Sequence, residues 1–280
     1  MLIIDLHHMA WRAFHTTGGM KYGKDTTGVI FGVLRELQGT IRMFKDSNVV
    51  IAADSQKSLR RDLFPGYKNR IRKEETEQEK DARWDAIRQI NLLKREILPA
   101  IGIRNVFEYD GYEADDVMAE LVFNKNSWSK PTIITGDQDL FQMLPYANMW
   151  IATKKQKVTA DKFIEMYGIP SQLWSEVKAI AGCSSDTVPG VKGIGEVTAI
   201  KYLTGKLPGG SKRKSIEDAE KSGHLELMRK LVVLPFKDTP HSTIFPTRFN
   251  KDGFLDVCSQ YGLNTLADDV DVWVDLLKRR

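Results

Sequence analysis

The sequence predicts an α/β fold with a mostly parallel central sheet, followed by a second, helical region. Three short apolar runs each end in an aspartate: Leu2-Ile3-Ile4 before Asp5, Asn48 to Ala53 before Asp54, and Pro131 to Gly136 before Asp137. They read as buried strands, and helical patterns lie between them. Such alternation predicts parallel strands covered on both faces. After Ile151 the texture changes: strand-like runs become rare, and short helical patterns separated by Gly and Pro take over.

Each element follows from local pattern. Ile30, Val33, Leu34, Leu37 and Ile41 share one face of a helix over roughly Thr27 to Phe44, and Ala86, Ile90, Leu93 and Ile97 one over roughly Lys80 to Leu98. Glu113-Ala114-Asp115-Asp116 opens a further helix that continues through Leu121, where the helix dipole favours negative charge. Gly168-Ile169-Pro170 is a break. We therefore expect an α/β domain over residues 1–165 and a helical domain over 166–280, with a Gly/Ser/Lys loop near Pro208 to Lys214.

The composition narrows the class. The chain has 280 residues, 42% of them hydrophobic, enough for a sizeable core. Two distant cysteines, Cys183 and Cys258, make neither a disulfide framework nor a four-ligand zinc site, so a reducing compartment such as the cytoplasm is expected. The longest apolar runs fall far short of the roughly 20 residues a membrane helix needs. An acid at Asp5 after three apolar residues predicts no signal peptide. The net charge is only +4, but it is segregated. Lys57 to Lys73 holds seven Lys/Arg and one acid; Asp110 to Asp139 holds seven acids and two Lys; Lys192 to Lys214 holds six Lys/Arg and one acid. An acidic centre flanked by basic segments suits a metal-dependent enzyme acting on a polyanion.

In a parallel sheet, ligands bind at the carboxyl ends of the strands. A single aspartate there is ordinarily a turn or cap residue, but three of them, Asp5, Asp54 and Asp137, share one edge. Asp139 joins Asp137 two residues on, and Glu113, Asp115 and Asp116 add the acidic helix start. So many carboxylates repel one another and raise their pKa values. Hard divalent cations relieve that repulsion, and oxygen ligands without His or Cys point to Mg²⁺ or Mn²⁺. Two such ions can activate water and stabilise the leaving oxygen of a phosphodiester. No Ser/His/Asp or Cys/His arrangement competes, and His7-His8 reads as a packing or turn pair.

The stretch from Gly182 to Leu203 contains Pro189-Gly190-Val191-Lys192-Gly193-Ile194-Gly195, which opens a helix carrying Ala199, Ile200 and Leu203. Its glycines let backbone approach a phosphate, and the helix N-terminus supplies free N–H groups. Thr198 stands where a dinucleotide-binding motif needs its third Gly, and no strand precedes the turn. The better match is a helix–hairpin–helix over about 176–204, gripping a nucleic-acid backbone without reading bases. Lys192, Gly193, Gly195 and Lys201 are its candidate contacts.

Taken in order, Asp5, Asp54, Glu113-Ala114-Asp115-Asp116, Thr135-Gly136-Asp137-Gln138-Asp139 and Ser185-Asp186 through Gly195 resemble the motifs of the 5′→3′ exonuclease and flap endonuclease family. The resemblance spans residues 1 to about 205, and its last two motifs are highly specific. It implies a PIN-like or resolvase-like sheet with a helical arch at about 57–95, and a C-terminal helical domain bearing the family's helix–three-turn–helix (H3TH). It implies a two-metal nuclease acting on DNA 5′ ends, flaps and nicks in replication, repair or DNA degradation. Asp5, Asp54, Glu113, Asp115, Asp116, Asp137, Asp139 and Asp186 would be its metal ligands. Mg²⁺ would be the ion, Mn²⁺ a substitute, and a monovalent cation would sit at the helix–hairpin–helix. The family's arch carries an Arg, then Tyr-Lys, then another Arg, matched here by Arg60, Tyr67-Lys68 and either Arg70 or Arg72. Lys68 would stabilise charge on the scissile phosphate, and Tyr67 would stack on a terminal base. With no polymerase behind it, the chain looks like the stand-alone bacteriophage or bacterial type, a monomer in the cytoplasm or host cytoplasm.

One departure stands out. The family's turn usually begins Gly-Asp-x-Ser-Asp, whereas this chain has Gly182-Cys183-Ser184-Ser185-Asp186. A thiol is a poor ligand for Mg²⁺, so a weaker second site, with a higher metal requirement or a Mn²⁺ preference, is expected. Two rival readings stay open: a ribonuclease of the same family acting on RNA–DNA hybrids, and a structure-specific DNA-binding protein with impaired metal chemistry.

Overall fold

The computed structural model describes residues 1–69, 74–123 and 130–277. The sheet has six strands in the order β5-β4-β1-β6-β7-β8. They are β1 (Leu2–Asp5), β4 (Val49–Ala52), β5 (Val106–Phe107), β6 (Thr132–Ile134), β7 (Asn148–Ile151) and β8 (Gln156–Val158). A small hairpin, β2 (Lys21–Tyr22) and β3 (Asp25–Thr26), stands apart. The sheet strands pair in parallel except β8, which runs antiparallel to β7 at the edge. β1 is central, with Ile4 opposite both Ile51 and Ile134, so the loops leaving β1, β4 and β6 open on one edge.

Side chains alternate across a strand, and the two faces feed two cores. Leu2, Ile4, Val49 and Ile51 pack with α1 (Leu6–Thr17), α2 (Gly28–Phe44) and α4 (Glu77–Leu92). Ile3, Val50, Ile133 and Met149 pack with α6 (Ala114–Phe123) on the other side. α3 (Leu59–Leu63) leaves the Asp54 loop. α4 starts at a capping box in which Thr76 Oγ1 accepts from Glu79 N while Thr76 N donates to Glu79 Oε2. It continues through a π-helical turn, Leu93–Ile97, into α5 (Leu98–Ala100).

Beyond β8 come α7 (Ala160–Tyr167), α8 (Trp174–Ala181), α9 (Glu196–Leu203), α10 (Ser211–Lys221) and α11 (His224–Val232), then α12 (Lys251–Tyr261), α13 (Asn264–Asp268) and α14 (Val270–Leu277). No described helix is long and apolar enough to cross a membrane.

The expected division at residue 165 does not match how the cores are shared. Trp174, Val177, Ile180 and Leu225 belong to the same core as Ile3 and Val117. Phe254, Val257, Leu266 and Trp273 join the core of the opposite sheet face. The chain returns past β5, where Asn105 donates to Phe245 O at 2.6 Å and accepts from Phe245 N at 2.8 Å. The last helices therefore cover the sheet instead of extending a separate helical domain. Their apolar faces needed a partner, and α2 and α5 supply it.

Candidate metal centre and nucleic-acid interface

Asp5 ends β1, and the Asp54 and Asp137 loops leave its two neighbours β4 and β6, so strand order brings the three acids to one edge. Asp5 accepts from His8 N at 2.9 Å and from Thr135 Oγ1 at 3.0 Å. Asp54 accepts from Ala114 N at 2.8 Å, at the start of α6. Asp137 accepts from Asp139 N at 2.8 Å. Burial and the facing Asp54 push the Asp5 carboxyl up to about 7. Burial and Asp139 push Asp137 up to about 6. Asp115 is raised well above the ordinary range by burial, then by Asp137 and Asp5. These four carboxyls form one mutually repelling group of hard oxygen donors, which fits a divalent ion of the Mg²⁺ or Mn²⁺ kind.

A second group surrounds the turn after α8. Ligand atoms of Asp139, Cys183 and Asp186 lie within 4.8 Å of one another. Cys183 Sγ is 3.6 Å from Asp139 Oδ2 and 3.6 Å from Asp186 Oδ2. Burial and then Asp139 push the thiol up to about 12, so this group offers two carboxylates and a reluctant sulfur. The turn is closed by an antiparallel bridge between Cys183 and Val188. Gly190 packs so tightly there that a Cβ would meet Ala181 carbonyl carbon at 2.2 Å, which explains why glycine is required.

Asp116 does not join either group as expected, whereas Glu113 shares the Lys68 ammonium with Asp186 of the second group. Asp116 is fully buried, its oxygens held by Arg60 Nη1 at 2.6 Å and Nη2 at 2.7 Å, with Phe236 N donating at 2.8 Å. Its lone pairs serve the fold, so Asp116 is not a candidate ligand here. Arg60, only 2% exposed, also donates to Leu231 O and is not a surface contact for nucleic acid. Tyr67 is likewise 2% exposed and donates its hydroxyl to Glu113 Oε2 at 2.9 Å, which leaves it no face for a terminal base.

Lys68 is placed differently. Its Nζ lies 2.9 Å from Glu113 Oε2 and 3.7 Å from Asp186 Oδ1. Burial works against its charge, but Glu113 and Asp186 hold its pKa above the ordinary value. Lys68 N donates to Asp186 O at 2.8 Å, and Asn69 N to Thr187 Oγ1 at 3.2 Å. The base of the expected arch is thus tied to the turn that carries the second acidic group. Arg70 and Arg72 lie outside the described residues.

Lys192, Gly193, Gly195 and Lys201 are all exposed. Gly193 takes φ +76, and a Cβ there would meet nothing within 4 Å, so glycine serves the backbone turn and leaves it open to a ligand. Gly195 caps α9, which packs on α8 as in a helix–hairpin–helix.

Two residues of the site were not singled out by sequence reasoning. Lys178 is buried and pairs with Asp139 Oδ1 at 3.2 Å and Glu196 Oε1 at 3.1 Å; its signal was a lone Lys between Val177 and Ala179. His7, expected only to pack, accepts from Asp54 N through Nδ1 at 3.1 Å. Burial, with Lys94 nearby, lowers its pKa against the pull of Asp54, so the neutral ring that this bond requires is favoured.

Known proteins share the sequence and fold of this chain. Residues 1–168 match the family model described as 5′-3′ exonuclease, N-terminal resolvase-like domain. The chain is 32% identical over 206 residues to the thermostable DNA polymerase I of Thermus aquaticus, covering 72% of this chain and 23% of the polymerase. It is 25% identical over 304 residues to DNA polymerase I of Synechocystis, covering 98% of this chain and 30% of that protein. The chain therefore spans under a third of the length of these relatives. Its fold resembles the T5 D15 protein co-crystallised with metal ions (TM-score 0.69, 18% identity, 99% of each chain). It also resembles flap endonuclease-1 from Methanococcus jannaschii (TM-score 0.58, 13% identity, 99% of this chain and 92% of that one). With the family model matching more than half of its length, the chain belongs to the 5′-3′ exonuclease family that carries an N-terminal resolvase-like domain.

Proposed function

We propose that the chain is a structure-specific 5′ nuclease, hydrolysing DNA phosphodiesters at 5′ ends, flaps and nicks with two divalent ions, ordinarily Mg²⁺. The observation that carries this reading is the gathering of Asp5, Asp54, Asp115 and Asp137 at one sheet edge, with Lys68 reaching between Glu113 and Asp186. Structural neighbours described as a T5 flap endonuclease with DNA and metal ions, and as the Rad2 core with a DNA substrate, support the same substrate class.

The first ion would be held by Asp5, Asp54, Asp115 and Asp137, the second by Asp139 and Asp186 with Cys183 as the weak member. When bound, such ions supply Lewis acidity to the attacking water and to the leaving oxygen. The chain's own residues do the rest. Lys68 presents a charge to the scissile phosphate's developing negative charge. His7 Nδ1, which accepts from Asp54 N, and Ala114 N, which donates to Asp54 Oδ1, fix Asp54. The Gly193–Gly195 turn and Lys192 and Lys201 hold the duplex backbone. A monovalent cation at that turn and Mn²⁺ in place of Mg²⁺ belong to the same proposal.

Cleavage of 5′-flap, nicked and blunt duplexes in Mg²⁺ and in Mn²⁺ tests it, with RNA and DNA 5′ strands compared on one template. Cutting near the flap junction is the expected result. Tight binding without cutting in either ion would instead support a metal-impaired DNA-binding protein, the reading favoured by Cys183 and by the Lys178–Asp139 pair.

A further inference from the structure

The segment from Thr239 to Asn250 crosses the β5 edge of the sheet as neither helix nor strand. Its backbone is nonetheless pinned. Ser242 N donates to Glu120 Oε2 at 3.3 Å, and Thr247 Oγ1 accepts from Val49 N at 3.4 Å. Asn105 holds both the N–H and the carbonyl of Phe245. Gly102, at φ +94, lets the chain pass, since a Cβ there would meet Arg248 O at 1.8 Å. A segment so firmly placed turns Ile244, Phe245 and Pro246 outward.

Phe245 is 58% exposed, unusual for so large an apolar ring. With Pro246, Arg104 and Arg248 it lines a groove of about 410 Å³. Both arginines are exposed. Neither guanidinium has a hydrogen-bond or ion-pair partner among the described residues. A ring fixed by its own backbone loses little entropy when covered. Beside it stand two unused forks, each shaped to take a carboxylate through two parallel hydrogen bonds.

The groove also lies away from the metal centre. Asn105 Nδ2 donates to Val49 O at 3.3 Å, at the first residue of β4. Asp54 follows at the other end of that strand, roughly 15 Å further on at strand rise. A ligand in the groove therefore leaves the acidic edge open. A phosphate chain draws its affinity from many neutralised charges, and this groove offers two. Two guanidiniums around an apolar anchor match carboxylates flanking an apolar side chain instead. We infer that this groove docks a short acidic segment of a partner protein. One apolar side chain of that segment seats on Phe245 and Pro246 while carboxylates on either side engage Arg104 and Arg248. The inference goes beyond the nuclease reading and does not depend on it.

The test measures fluorescence anisotropy of two labelled peptides with the full chain. Both carry two aspartates at each end; the centre is Phe-Leu in one and Ser-Gly in the other. The Phe-Leu peptide should bind at least tenfold more tightly. Arg104→Ala and Arg248→Ala should each weaken it roughly tenfold, the loss of one hydrogen-bonded charged contact. Phe245→Ala should weaken it comparably, and Phe245→Leu should keep most of the affinity. Flap cleavage and the melting temperature should match the wild type in all four variants, because these side chains face solvent. Equal binding of the two peptides, binding of neither, or affinities that the arginine variants leave unmoved would overturn the assignment. So would an oligo-dT strand that displaces the Phe-Leu peptide and is itself weakened by Arg104→Ala and Arg248→Ala, which would mark the groove as a nucleic-acid contact.

Discussion

Arg60 and Asp116 form a two-pronged ion pair at 2.6 and 2.7 Å, and neither side chain reaches solvent. Each comes from a segment whose charge suggests a ligand-facing role, yet the pair fastens the base of the expected arch to α6 and, through Leu231 O and Phe236 N, to the chain after α11. Breaking one partner leaves a buried charge uncompensated. Arg60→Ala and Asp116→Ala should each cost about 3–5 kcal/mol of stability, seen as a lower urea midpoint with or without metal. Loss of cleavage with unchanged stability would return these residues to the catalytic site.

Asp5 and Asp137 behave in the opposite sense. Their folded pKa values, about 7 and about 6, lie above the ordinary 3.8, so the folded chain binds more protons than the unfolded one across that interval. Stability then falls as pH rises from about 4 through 7. The metal-free protein should melt several degrees lower near pH 8 than near pH 5, and Asp5→Asn should remove part of that slope. A divalent ion in hundredfold excess over its Kd should restore about 2.7 kcal/mol near pH 8. Calorimetric melts across pH, with EDTA or Mg²⁺, check all three.

Cys183 lies between Asp139 and Asp186, at the position where the motif resemblance leads one to expect an acid. Its thiol, pushed up to about 12, carries no charge at neutral pH without a metal. Cys183→Asp adds a hard, charged ligand and should lower the Mg²⁺ concentration for half-maximal cleavage roughly tenfold, because ligand charge count tunes affinity. It should also narrow the difference between Mg²⁺ and Mn²⁺. A metal titration that superimposes on the wild type would mean that Cys183 does not limit the second site.

Lys68 joins the arch base to Glu113 and to Asp186 of the second acidic group. Lys68→Ala should lower the cleavage rate at saturating metal by about two to three orders of magnitude, the scale seen for removal of a charge-stabilising donor. DNA affinity should change little, since the ammonium is one contact among several. Single-turnover rates beside equilibrium binding separate the two. An equal loss in rate and affinity would make Lys68 an ordinary phosphate contact.

What the sequence made legible was position along the chain; what it hid was depth. Asp5, Asp54 and Asp137 were readable because apolar runs end at them, and parallel strands bring such ends together. Arg60, Tyr67 and Asp116 were misread because a charge or a ring in a charged segment carries no sign of burial. Arg60 is covered by Leu231 and Val233, more than 170 positions away. The helices after residue 250 showed amphipathic faces but not which core those faces meet. Only the return of the chain past Asn105 decides that. Lys178 was lost because a single Lys in an apolar helix is ordinarily read as a solvated side chain, and its partners Asp139 and Glu196 lie in other elements.

The net charge of +4 predicts weak salt dependence if spread evenly, and steep dependence if the basic residues act together. The exposed turn at Gly193 with Lys192 and Lys201 argues for the second. Each phosphate neutralised releases counterions and adds about 0.9 to the slope of log K against log salt. Lys192→Ala and Lys201→Ala should each reduce that slope by about one on a plain duplex, and weaken binding alike for every sequence. Arg60→Ala should leave the slope unchanged in whatever protein remains folded, because its guanidinium faces Asp116 and not solvent. Binding isotherms at several salt concentrations distinguish the three variants. A slope insensitive to both lysines would move the duplex contact away from this turn.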